Sequence, residues 1–269
     1  MPRDRDMSQE NLSPWSAGER KLLEEAIVPS PHSVDLERTP LGEFLHRLAN
    51  PNPNVAELFH ENSKLSPVST LTVPAGERKL AEAREWFFTT AYALREEEVE
   101  PHAAHLFRLP FDDLPPLASR LLEPFTVAGP MTDRLYGVDL LLLHGGRLLR
   151  LLPRRRLLWV EREMSVEETA WLKAAILELP RSRVASWSTW LFLVGCPWRY
   201  MLLYGPRGYR HTLFDAGRLL GFLEERARQQ QIDLAVAQNF YDNRIDRLLY
   251  TDGVERSTLA VLGISGGER

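Results

Sequence analysis

The chain has 269 residues, a hydrophobic fraction of 44%, a charged fraction of 26% and a formal net charge of −4. That balance fits a soluble globular protein with a sizeable core and argues against general binding to nucleic acid or an anionic membrane. Its one cysteine, Cys196, excludes an internal disulfide and any cysteine-rich metal centre. No apolar run is long enough to span a bilayer, and the N-terminal MPRDRDMSQENLSPW lacks the pattern of a signal peptide, so a cytoplasmic location is expected. Arginine far outnumbers lysine, which occurs only at Lys21, Lys64, Lys79 and Lys173. This reads as genome composition or heat adaptation rather than function.

In chain order, residues 1–16 are polar and expected to fray. Short helices are predicted from Ser16 to Ala26 and from Thr39 to Leu48, where Pro40 suits the first helical position. A domain boundary is expected near residue 55, with an N-terminal helical extension over 1–55 and the main domain over 56–269. Gly76 to Leu94 carries Leu80, Ala83, Phe87 and Ala91 at helical spacing, an amphipathic helix. Prolines 110, 115, 116 and 124 break up the next region.

DLLLLHGGRLLRLLP from Asp139 predicts two strands about a His144-Gly145-Gly146 turn, and LLWVER from Leu157 a third. Ser165 and Glu168 have capping-box spacing, opening a helix over Val166–Leu179. SWSTWLFLVG and the Trp198–Tyr204 segment read as buried strands. A helix over Thr212–Gln230 comes next, then a strand in IDLAVAQNF, a short helix over Asn243–Leu249 and a last strand in STLAVLGIS. With no clean βαβ alternation, the class is α+β.

The chemistry concentrates in YGPRGYRHTLFDAG, Tyr204 to Gly217. Tyrosine rings stack and guanidinium groups grip phosphate or carboxylate, so this composition suits a flat anionic ligand. Tyr204 and Tyr209 are the candidate catalytic residues, as a proton-transfer group and a ring platform. A free tyrosine ionises near pH 10, so a basic role needs a nearby cation, for which Arg207 and Arg210 are candidates. Equally, both tyrosines could cap the core edge. Arg207, Arg210 and Arg218, with Gly217 beside them, are the candidate cofactor-binding residues, and the helix N-terminus near Thr212 would reinforce them. The bland alternative is pairing with Asp215, Glu224 and Glu225.

Other motifs are weaker. Arg154-Arg155-Arg156 reads as a solvated turn between strands, although a basic turn could hold an acidic leader peptide. His102 and His105 in HAAH lack further ligands for zinc, so no metal site is assigned. GISGGER has no following helix and is not a dinucleotide fingerprint. Cys196 is expected to be inert, and Trp187, Trp190 and Trp198 to pack in the core or a dimer interface.

The C-terminal third resembles the nitroreductase-like flavoproteins, in particular SagB-type dehydrogenases of peptide maturation. The matching segments are Tyr204 to Gly217 and FYDNRIDRLLYTDGVERSTLAVLGISG, Phe240 to Gly266. Tyr204, Arg207, Tyr209, Arg210, Asp215, Ala216, Gly217, Asp242, Leu248, Leu249 and Glu255 follow the family order, and FHENSKLSP from Phe59 resembles the family's upstream segment. The resemblance implies a central, mostly antiparallel sheet flanked by helices, FMN at a dimer interface, and oxidation of azolines in a ribosomal peptide to azoles. It also implies a peptide substrate, with a leader segment as a further contact, and a homodimer or a heteromer with biosynthetic partners.

The family's lysine before the tyrosine is Leu203 here, its histidine is Arg218, and its Gln-Asn is Gly221-Phe222. The Arg-Arg-Ser-x-Arg run that holds the FMN phosphate is missing. Two functions therefore stand side by side: an FMN-dependent dehydrogenase, and a flavin-free relative that keeps the fold and serves as a peptide-binding or scaffolding subunit.

Overall fold

The computed structural model describes Phe59, Ser63, residues 76–91 and residues 108–265. The chain divides into two compact units, Met1–Asn62 and Ser63–Arg269, and the sheet and its helices belong to the second. The helices expected before residue 50 and the His102/His105 pair lie outside the described residues.

Seven strands form one wholly antiparallel sheet: β1 (Arg108–Pro110), β2 (Val138–His144), β3 (Arg147–Leu152), β4 (Leu157–Glu163), β5 (Trp187–Gly195), β6 (Leu234–Ala237) and β7 (Ser257–Ser265), in the order β1-β4-β3-β2-β5-β7-β6. β2 and β3 turn over Gly145 and Gly146, both at positive φ, as the His-Gly-Gly sequence predicts. Central strands β2 and β5 are buried on both faces, so they read as continuous apolar runs rather than alternating ones.

Around the sheet lie α1 (Glu77–Trp86), α2 (Pro116–Leu122), α3 (Val166–Ala175), α4 (Arg181–Ala185), α5 (Pro197–Tyr204), α6 (Gly208–Gln229) and α7 (Asp242–Leu248). Alternate strand residues feed two cores. Leu140, Leu142, Leu191 and Leu193 pack with Leu219 and Leu223 of α6. Leu141, Leu143, Phe192 and Val194 pack with Leu172 of α3 and Ile245 and Leu248 of α7. The helix pair α5/α6 thus lies on one face of the sheet and the pair α3/α7 on the other.

Several expectations are corrected. Trp198–Tyr204 is helical, not a strand: Pro197 occupies the first turn, where its missing N–H costs nothing. The following helix begins at Gly208 rather than Thr212, so Tyr209 and Arg210 lie inside it. The capping box on Ser165 is formed in both directions, but α3 stops at Ala175, where Ile176 turns extended and bridges Phe240. The amphipathic helix from Glu77 changes to a π turn over Phe87–Ala91. Trp198 is exposed, whereas Trp187 and Trp190 are buried and stack edge-on at 4.6 Å. The turn over Arg154–Arg156 is as expected, with Arg156 exposed, while Arg154 pairs with Glu85 (2.6 Å) and Asp133 (3.0 Å).

One buried carboxylate ties α5 to the sheet. Asp139 on β2 meets Arg199 of α5 at 2.8 Å, Arg150 of β3 at 3.0 Å and Arg256, just before β7, at 3.4 Å. Arg150 also reaches Glu161 of β4 at 2.5 Å. Burial works against ionisation of Asp139, but Arg199, Arg150 and Arg256 together outweigh it and hold the carboxyl well below the usual carboxylate range. Beside this cluster Cys196 is buried, and burial followed by the Asp139 charge pushes its thiol up to about 11, which makes it inert at neutral pH.

Removing the Asp139 charge takes a buried counter-charge from Arg199, Arg150 and Arg256, of which Arg150 keeps Glu161. Asp139→Asn should therefore lower the unfolding free energy by about 3–5 kcal/mol in urea titrations. Because the folded pKa is depressed, this stabilisation is present above the unfolded value of about 4 and is lost as pH falls below it. The wild-type urea midpoint should consequently drop with acid more steeply than that of the variant.

Candidate functional site

The site grows from the junction between α5 and α6. Gly205, at φ +56°, breaks α5, and Gly208 starts α6 directly against it. A Cβ on Gly208 would lie 2.3 Å from the Met201 backbone nitrogen and 2.4 Å from the Tyr200 carbonyl carbon, so only glycine admits this approach. The close contact sets Tyr200 against the first turns of α6.

Tyr200 is fully buried and donates its hydroxyl hydrogen to Asp215 Oδ2 in a short bond. Arg84 of α1 donates to the Tyr200 oxygen at 2.9 Å, and Arg134 donates to Asp215 Oδ1 at 3.1 Å. Burial, then the negative charge of Asp215, push the Tyr200 phenol well above its ordinary value, so it is a fixed hydrogen-bond donor at neutral pH. Burial also raises Asp215, against the pull of Tyr200 and Arg134.

A layer of rings covers this network. His211 stacks on Tyr204 at 4.5 Å and on Tyr200 at 5.4 Å, while Tyr136 meets Tyr200 edge-on at 5.1 Å and Phe87 at 5.5 Å. Burial, and after it the charge of Arg207, lower the His211 pKa, which favours the neutral ring. Burial raises Tyr204, and the cation acting on it is Arg84, not Arg207 or Arg210. Tyr204 is therefore a neutral phenol in a stacked ring layer, and the sequence argument for its ionisation by those two arginines is corrected.

The remaining candidates are spread along α6. Arg207 donates to the Ser63 carbonyl at 3.2 Å, and Arg210 sits half-buried one turn on. Tyr209 is exposed, as are Gly217 and Arg218, and Arg218 leans toward Asp215 at 3.9 Å. Eleven residues separate Arg207 from Arg218, roughly 16 Å of helical rise. Arg207 and Arg210 lie within one turn of each other; Arg218 stands apart from them. Sequence reading misses Tyr200, Arg84, Arg134 and His211, and it treats Asp215 as a surface partner for arginine rather than the buried centre of the network. The one available signal is the i, i+4 relation between His211 and Asp215.

No family model matches the sequence, and no curated protein is similar to it. Among solved structures, one described as a "putative nitroreductase from anabaena variabilis" superposes with a TM-score of 0.53 at 17% identity, over 78% of this chain and 45% of its own. The fold is nitroreductase-like. This chain thus spans about half the length of that relative. A chain of the E. coli microcin synthetase McbBCD complex with truncated pro-MccB17 bound aligns over 86% of this chain and 99% of its own, at 14% identity and a TM-score of 0.49, too loose a superposition to carry an argument. In this nitroreductase-like chain, no helix among the described residues is long and apolar enough to cross a membrane.

The Gly208 contact and the Tyr200–Asp215 bond can be separated experimentally. Gly208→Ala should destabilise by about 1–3 kcal/mol through overpacking against the α5 backbone. Tyr200→Phe, which keeps the ring but removes the donor from a buried carboxylate, should cost a similar about 1–3 kcal/mol in thermal or urea unfolding. Wild-type stability of Tyr200→Phe would show that the hydroxyl bond contributes nothing.

Proposed function

We propose that the chain is one subunit of an oxidoreductase of peptide maturation that assembles through the exposed face of α5 and α6. The observation carrying this reading is the apolar character of that face. Trp198, Met201 and Leu202 of α5 are exposed, Leu202 at 77%, beside Tyr209, Leu213 and Phe214 of α6, the last at 60%. Tyr209, Leu213, Gly217 and Gly221 follow one another at four-residue spacing, all exposed, and a Cβ on either glycine would meet nothing within 4 Å. A contiguous apolar patch of this kind marks an interaction surface, and the glycines let a second helix come close. Beyond them the exposed positions turn charged, at Glu224, Glu225 and Arg228.

The occupant this face fits is a second copy of the same helix. An antiparallel crossing centred on Gly217 sets Leu213 of one copy over Gly221 of the other and Arg210 opposite Glu224. The reaction we assign to the assembly is the FMN-dependent oxidation of peptide azolines to azoles, on the strength of the nitroreductase-like fold and the Tyr-Arg-Tyr-Arg run. Among the described residues, the arginines of this helix do not gather into a seat for the flavin phosphate, because Arg207 is held by a backbone carbonyl and Arg218 lies a long way down the helix.

That distribution of arginines favours a second reading, a flavin-free subunit that keeps the fold and binds peptide or partner proteins. A spectrum separates the two. Purified protein of the first kind shows flavin absorption bands or acquires them on titration with FMN, whereas a colourless protein that takes up no added FMN leaves the second.

Assembly is tested independently. Light scattering after gel filtration should give a dimer for the wild type and a monomer for Leu213→Glu. Gly217→Leu should also yield monomer without losing thermal stability, since its side chain meets nothing within the subunit and leucine favours a helix over glycine by roughly 0.5–1 kcal/mol. A monomeric wild type would remove the assembly proposal.

A further inference from the structure

On the opposite side of the sheet, α3 and α7 enclose a cavity of about 480 Å³ lined by Arg162, Glu168, Trp171, Ala174, Arg244, Arg247, Leu248 and Tyr250. Its volume lies within the range of small-molecule sites. We infer that this cavity is a binding site for a planar aromatic carboxylate, separate from the residues around Tyr200.

The charge of the lining decides the sign of the ligand. Glu168 is the one carboxylate among the lining residues, and it is fully engaged: one oxygen accepts from Arg162 at 2.7 Å, and the other from the Ser165 backbone N–H at 2.8 Å in the capping box. Arg162 is likewise committed, donating also to the Leu248 carbonyl at 2.6 Å. Arg244 and Arg247, one turn of α7 apart, are both exposed and have no carboxylate partner among the described residues. Among the described residues the cavity therefore presents two guanidinium groups with no carboxylate in ion-pair contact, Arg244 lying over the Tyr241 ring at 4.8 Å, and guanidinium matches a carboxylate with paired N–H donors.

The apolar part of the lining decides the shape. Trp171 is 56% exposed and Tyr250 72%, so large ring surfaces face solvent beside Leu248 and Ala174. Tyr250 sits just after α7 with φ +53°, a backbone conformation disfavoured for tyrosine, and the Arg162 guanidinium lies over its ring at 4.4 Å. The ring is thus held in place at the cavity rim by a half-buried arginine that donates to both Glu168 and the Leu248 carbonyl. A flat ring system fits against Trp171 and Tyr250, with its acid group reaching Arg244 and Arg247.

The test uses the full chain and two nearly isosteric probes, 2-naphthoate and its neutral counterpart 2-naphthamide, in isothermal titration. Naphthoate should bind saturably at one site and at least about tenfold more tightly than the amide. The double variant Arg244→Gln/Arg247→Gln should lose about that factor for naphthoate and leave the amide unchanged, while Trp171→Ala weakens both. Both arginines are exposed, so thermal melting of the double variant should match the wild type and exclude misfolding as the cause. The proposal fails if naphthoate shows no saturable binding at millimolar concentration. It fails equally if the amide binds as well as the acid, or if the double variant binds naphthoate like the wild type.

Discussion

Two buried carboxylates organise this fold, and two adjacent residues of α5 answer them. Arg199 reaches down to Asp139 on β2, and Tyr200 reaches across to Asp215 on α6. A carboxylate taken out of water is costly unless it is paired and hydrogen-bonded, so each of these acids fixes the position of whatever neutralises it. The result is that α5 cannot slide: its backbone is locked against the sheet through one residue and against the next helix through its neighbour. Tyr136 strengthens the lock by donating its hydroxyl to the Arg199 carbonyl while its own carbonyl accepts from the Arg199 guanidinium, both at 3.1 Å.

This lock explains why the chain has its rings where it does. With α5 held, Gly208 brings α6 into backbone contact, and the side of the helix pair that faces Asp215 fills with Tyr200, Tyr204 and His211. The other side is left with Leu202, Leu213 and Phe214 in solvent. Buried polar groups and an exposed apolar face on one short helix pair invert the usual distribution. An exposed apolar face of this kind marks an interaction surface, and it is the ground for the assembly proposed above.

Much of the sheet is legible in the sequence because its signals are local. The His-Gly-Gly turn, the apolar runs of β2 and β5, and the Ser165/Glu168 capping box each lie within a few residues and announce their own geometry. Trp198–Tyr204 reads wrongly as a strand because a seven-residue, mostly apolar run between a proline and a glycine has no periodicity long enough to separate strand from helix. The Asp139 and Asp215 clusters are invisible for a different reason. Arg199 lies 60 residues beyond Asp139, and Arg84 lies 116 residues before Tyr200, so only the folded chain brings them together. Arg207, Arg210 and Arg218 look like one set in the sequence because proximity along a chain suggests proximity in space, and helical rise separates the last from the others.

The sheet also sets the relation between the two surfaces. Leu140 and Leu142 point toward α6, and Leu141 and Leu143 toward α3 and α7, so the exposed apolar face of α5 and α6 and the Trp171 cavity sit on opposite sides of a layer of close-packed aliphatic side chains. Such a layer transmits little unless the strands themselves shift, because packed side chains resist small displacements. One chain of ion pairs runs along the sheet instead. Arg162 leaves β4 to bind Glu168 and the end of α7, while Glu161, its immediate neighbour, turns to Arg150 and through it to Asp139 and α5. Glu161 is the unpaired residue at the register shift between β3 and β4, and this adjacent pair joins the ion network of Asp139 to the wall of the cavity through a single peptide unit.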